Sequence, residues 1–132
     1  GLARLDWNRD GREDLVISHL HEPAVLLLNE TESGHHCLNL QLRGCDSSRD
    51  AIGAIVEVPG GERSLVHQLT AGDGFQASNE RRLIIGLGTR NEVPRIIVRW
   101  PGGKVQEFRD VPVDQEMLLR EADHAFHVLR RD

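Results

Sequence analysis

Asp6, Asn8, Asp10 and Asp14 set oxygen-bearing side chains at close, regular intervals within residues 6–14, with Gly11 directly after the third of them. Oxygens so spaced suit a hard cation such as calcium, which takes six to eight oxygen ligands at about 2.3–2.6 Å. Three carboxylates crowded into one short stretch repel one another unless such an ion sits among them. The expected ligands are the side chains of Asp6, Asn8, Asp10 and Asp14 together with the backbone carbonyl of Arg12. Gly11 permits the positive φ that a chain folding round an ion often needs. The competing account is a solvated acidic turn, because Asn, Asp and Gly form turns without any ion. The ordered coincidence of ligand types with a glycine favours the ion.

The other chemistries the chain offers are weaker. An EF-hand begins in the same way, but needs a bidentate Glu at its twelfth position and a helix behind it. Ile17 stands at that position, and Leu15-Val16-Ile17-Ser18 reads as a strand. Acyl transfer needs a nucleophile beside a base and an orienting group, yet no Gly-x-Ser-x-Gly elbow surrounds Ser47, Ser48 and Asp50. Among 21 acidic residues chance carboxylate pairs are inevitable, so none is nominated for glycoside hydrolysis. His35 and His36 would face opposite sides of a strand, and His19 and His21 flank a turn. His124 and His127 would share a face only on a helix, as half a zinc site without its other ligands. Gly72-Asp73-Gly74 and Gly86-Leu87-Gly88 lack the helix start and the Lys-Ser/Thr pair of a phosphate cradle; Asp50 and Asp73 are at most weak metal or ligand contacts. Trp100 either stacks on a sugar or plugs one end of a core, and the alternating strand before it favours the plug. Trp7, at a non-ligand position of the acidic loop, is expected to pack on a neighbouring unit.

The elements that must hold these residues read as strands. Residues 14–20 and 24–29 are apolar stretches on either side of His21-Glu22-Pro23 and predict a hairpin. The polar run Asn29-Glu30-Thr31-Glu32-Ser33-Gly34 marks a boundary, dividing the chain into 1–33 and 34–132. Beyond it, residues 37–43, 52–58, 63–69, 82–87, 93–99 and 104–109 alternate with period two between Gly and Pro punctuation. Short, regularly spaced strands of this kind predict an all-β, antiparallel β-sandwich-like domain behind the calcium-loop hairpin. Residues 115–121 predict a last strand, and 121–131 carry residues compatible with a short terminal helix.

Composition narrows the classes. A chain of 132 residues with 39% apolar content can bury a core of its own. The net charge of −5 argues against a nucleic-acid partner, and no apolar run approaches the roughly 20 residues of a membrane span. Only 4% of the chain is aromatic, which is poor material for a sugar or protein paratope. With its only methionine at Met117, the sequence predicts a longer natural product, whose export signal would lie elsewhere. Cys37 and Cys45 flank an extended run, which at about 3.3 Å per residue holds the sulfurs far beyond bridging distance. A weak calcium loop fills reliably only where calcium is plentiful, so the expected location is secreted or cell-surface.

Together the later motifs make the chain resemble the ASPIC/UnbV domain. Residues 44–54 are similar to its opening signature, while Gly72-Asp73-Gly74-Phe75-Gln76-Ala77-Ser78, Gly86-Leu87-Gly88 and Val98-Arg99-Trp100-Pro101-Gly102-Gly103 resemble its later ones, in order. The acidic loop with Leu26-Leu27-Leu28-Asn29 is similar to the last FG-GAP (VCBS) repeat that usually precedes that domain, as in the cartilage acidic protein family. Departures are Ser48, where Asn is common, and Ile84-Ile85, where an aromatic commonly precedes Gly-Leu-Gly. The resemblance implies one fragment of a calcium-binding propeller blade at 1–33, with its metal role falling on Asp6, Asn8, Asp10, Arg12 and Asp14. It implies the C-terminal part of a larger repeat protein, with preceding β-propeller repeats as intramolecular partners. The expected function is a non-catalytic extracellular calcium-binding adhesion or ligand-binding module for a protein or glycan. The alternative is a carbohydrate-binding or accessory domain of a secreted hydrolase, with contact at Trp100. A third reading is a structural cap with no external ligand.

Overall fold

The computed structural model describes residues 1–61, 63–72 and 74–129; Asp73 and the last residues of the expected terminal helix lie outside them. Among the described residues there are eleven strands and no helix. They are β1 (Leu2–Leu5), β2 (Asp14–Ile17), β3 (Val25–Leu27), β4 (His36–Arg43), β5 (Ile55–Val58), β6 (Leu65–Gln68), β7 (Leu83–Gly88), β8 (Val93–Arg99), β9 (Val105–Val111), β10 (Glu116–Arg120) and β11 (Phe126–Val128). Two four-stranded sheets, β11-β10-β4-β7 and β6-β5-β8-β9, form the sandwich-like body, and β1-β2-β3 is a separate three-stranded sheet. All pairings are antiparallel except β10 with β4, which run parallel.

Alternation explains the body. Leu38, Leu40 and Leu42 point inward from β4, Leu83, Ile85 and Leu87 from β7, and Val56 and Val58 from β5, all into one apolar cluster. On β8 and β9 the alternation slips: Val93 and Ile96 are both buried, as are Phe108 and Val111. The pairs Val93↔Val111 and Arg95↔Arg109 flank the slip, where Asp110 has φ 51, and this local kink turns Val111 back to the core. Trp100, 2% exposed, closes one end of the cluster. Its ring is therefore no sugar platform, and contact of a glycan with Trp100 is overturned by burial.

Two expectations need correction at the chain ends. The terminal helix is replaced by a turn through Ala122 (φ 75) and by β11, which pairs Leu119↔Phe126 and Met117↔Val128 along the edge of β10. Phe126 packs against the core, a contact that strand pairing supplies directly. His124 and His127 consequently share no helix face; His127 Nε2 instead lies 3.3 Å from Asp123 Oδ2. At the other end β1 was not anticipated. It pairs Leu2↔Ile17 through Leu5↔Asp14, so the hairpin at 14–29 becomes a three-stranded meander.

Candidate functional site

The acidic loop joins β1 to β2, and its ends are fixed because Leu5 pairs with Asp14. Asp6, Asn8, Asp10 and Arg12 therefore lie in one turn, and Asp14 opens the strand that closes it. Asp6 and Asp14 are buried, at 1% and 0% exposure. The Asp6 carboxylate accepts the backbone N–H of Asp10 at 2.9 Å and of Gly11 at 3.0 Å. Asp14 accepts the N–H of Trp7 and of Asn29, each at 2.8 Å, tying the loop to the end of β3. Within the loop, the Asp10 N–H donates to Asn8 Oδ1 at 3.2 Å and the Arg12 N–H to Asp10 Oδ1 at 2.9 Å. Arg9 (φ 60) and Gly11 (φ 85) take the left-handed conformation that lets so short a segment close.

The donor set fits a hard cation in kind. A carboxylate has about four lone-pair sites, and the N–H bonds to Asp6 and Asp14 leave acceptor capacity on each. The arrangement, however, is closed by the protein's own donors. The Arg12 guanidinium sits on Asp10 Oδ2, as does the Asn8 amide, so a cation already neutralises the middle carboxylate. Burial pushes the Asp10 carboxyl up, but the Arg12 N–H, the Asn8 amide and the Arg12 charge together hold it below the usual carboxylate range. Among the described residues, no three His, Cys, Asp or Glu side chains are gathered closely enough to hold a metal ion.

What the sequence did not foreshadow is the seat beneath this loop. Asn39, 3% exposed, faces outward from β4 between core residues Leu38 and Leu40. Its Nδ2 donates to Asp6 Oδ2 at 3.3 Å and its Oδ1 accepts from Arg82 Nη1 at 3.2 Å. Arg82 pairs with Glu116 of β10, and its Nε lies 3.2 Å from Glu80 Oε1 without hydrogen-bond geometry. Glu80 accepts the Asp6 N–H at 3.1 Å and binds the Arg9 guanidinium. Burial pushes the Glu80 carboxyl up, yet the Asp6 N–H and the Arg9 and Arg82 guanidiniums hold it low. Glu80, Arg82 and Glu116 stand far from the loop in sequence; the one legible sign was a polar residue, Asn39, inside an apolar strand.

Beside the seat lies a cleft of about 450 Å³, bounded by Asp10, Arg12, His36, Cys37, Gly86 and Asp114. Gly86, opposite Cys37, contributes no side chain to its floor. His36 Nδ1 lies 2.6 Å from Asp114 Oδ2, and Asp114 Oδ1 accepts the Cys37 N–H at 3.0 Å. Both cysteines are thiols, not a disulfide.

Elsewhere, buried Glu121 gathers residues 45–47. Its Oε2 accepts the N–H groups of Cys45, Asp46 and Ser47 at 2.9, 3.0 and 2.7 Å, and its Oε1 accepts the Ser47 hydroxyl at 2.9 Å. The same hydroxyl accepts the Gly102 N–H at 3.0 Å, so one carboxylate ties the 44–50 turn to the Trp100-Pro101-Gly102-Gly103 turn. Gly44 is forced to be glycine here, since a Cβ would fall 2.2 Å from the Ser48 carbonyl oxygen. Asp50 is exposed and takes no part.

No curated protein matches the chain. The family model described as ASPIC and UnbV matches residues 44–125, the span running from that glycine past the Glu121 anchor, and the chain belongs to the ASPIC and UnbV family.

Proposed function

We propose that the chain is a non-catalytic accessory module at the end of a longer repeat protein, secreted or cell-surface, in which loop 6–14 binds calcium structurally and the sandwich body serves adhesion or ligand binding. The observation that carries this reading is the β1-β2-β3 sheet. Register places Leu2, Leu15, Ile17, Val25 and Leu27 on one face beside Arg4, and Ala3, Leu5, Val16 and Leu26 on the other beside Asp14. Leu2, Val25, Leu26 and Leu27 are all substantially exposed. A sheet mainly apolar on both faces is suited to lie between two layers. Stacked neighbours of the FG-GAP (VCBS) kind would supply them, which also supports kinship with the cartilage acidic protein family. A protein or glycan ligand has the polar cleft beside the loop as a place to bind.

Calcium would be held by the Asp6, Asn8, Asp10 and Asp14 side chains and the Arg12 carbonyl, where it would neutralise the clustered carboxylates. The Arg12 guanidinium competes for Asp10, which makes the loop weak and suits it to the calcium-rich exterior of cells. Calorimetric titration of calcium into chelator-treated protein is expected to show binding heat and a raised melting temperature. Asp10→Ala should remove most of both. Arg12→Gln keeps the carbonyl but removes the competing charge, and should tighten binding by up to about fivefold, the worth of a ~1 kcal/mol exposed ion pair. Absence of heat together with an unmoved melting temperature would defeat the calcium reading.

A further inference from the structure

The contacts under loop 6–14 close on themselves. Asp6 Oδ2 takes the Asn39 amide, Asn39 Oδ1 takes Arg82, Arg82 meets Glu80, and Glu80 Oε2 takes the Asp6 N–H. Asp6 and Asn39 are nearly inaccessible, and the Arg82 side chain is 8% exposed. From Arg82 the circuit reaches Glu116, the first residue of β10. Two further bonds run alongside it, from the Arg4 N–H to the Asn79 side-chain Oδ1 at 2.9 Å and from the Glu80 N–H to the Arg4 carbonyl at 3.0 Å. Opening the hairpin away from the body would take Asp6 from the Asn39 amide, and both the Asp6 N–H and the Arg9 guanidinium from Glu80, at once, and such losses make neighbouring units open together.

We infer that Asn39 is the bridge by which the loop controls the sandwich: the hairpin and the β4–β10 pair open as one unit, and whatever the loop holds is felt on β10. The cation-free part of this inference stands without the calcium proposal; its ionic part rests on that proposal as regulation of the same loop. Native-state amide exchange of the whole chain tests both. Without calcium, the most protected amides of β1, β2, β4 and β10 should share one opening equilibrium and one denaturant dependence. Asn39→Leu should split them, with β1 and β2 exchanging about tenfold or more faster than β4, while Leu replaces the amide at similar size. Should β1 and β2 already exchange by a separate, easier opening in the wild-type protein, the bridge is refuted, whether or not the variant folds. With calcium at about a hundred times its Kd, the protected amides of β4 and β10 should slow about a hundredfold. Slowing confined to β1 and β2 would refute transmission to the sandwich and leave calcium binding intact. Binding heat absent, with all rates unchanged, would instead remove the ionic part along with the calcium proposal.

Discussion

Glu121 shows how one side chain can organise a region that sequence motifs only outline. Removal from water works against its charge, but the N–H groups of Ser47 and Cys45, the Ser47 hydroxyl and the Asp46 N–H outweigh that cost and hold its carboxyl below the ordinary glutamate value. A carboxyl lowered by folding adds stability above its unfolded value near 4.3, and that contribution is lost as pH falls through the lower folded value. Glu121→Gln places an NH2 against some of these donors, so it should cost about 2 kcal/mol at neutral pH. Its melting temperature should also fall less steeply than the wild type's below about pH 4.3. Thermal melts across the acid range check both, and parallel acid limbs would show that Glu121 titrates as an ordinary surface group. Nothing in the sequence marked this residue, because its partners lie 74 to 76 positions away.

At the level of elements, legibility followed the strength of the alternating pattern. The inward leucines of β4 and the β7 triplet were readable because every second residue is large and apolar, and one face of a sheet must be. β1 escaped notice: four residues with an arginine among them carry too few repeats for a period to stand out, and pairing with β2 decides the matter. The same tertiary choice turned helix-compatible residues after Glu121 into a turn and β11. Four of the loop's nominated residues lie in the turn between β1 and β2 and Asp14 opens β2, whereas the partners that Asp6 finds on Glu80 and Asn39 come through folding alone. β3 invites a separate test. It is an apolar edge strand with Leu27 and the following Leu28 each 47% exposed, a template for pairing with another chain. Leu27→Thr combined with Leu28→Lys should shift the isolated chain toward monomer in sedimentation velocity while leaving its melting temperature within a few degrees. Identical sedimentation of both proteins would mean this edge recruits nothing.

Across the whole molecule the polar run at residues 29–34 reads as a boundary in the sequence, while hydrogen bonds join its two sides in the structure. Residues 34–132 expressed alone would leave Asn39 and Glu80 without the loop contacts that satisfy them. The predicted loss is about 2–3 kcal/mol, equivalent to roughly 10–20 °C in melting temperature for a domain of about 100 residues. An unchanged melting temperature would show that the seat contributes nothing to the body. The parallel pairing of β4 with β10 carries a different kind of consequence. Met117 and Leu119 slot in beside Leu40 and Leu42, although some 77 residues of chain separate them. During synthesis the ribosome delivers β4 long before its neighbour exists, so its oily leucines must wait for nearly the entire domain to emerge. A chain broken off before Glu116 would lack β10 and β11 and carry only half of that sheet, with one side of β4 left unpaired.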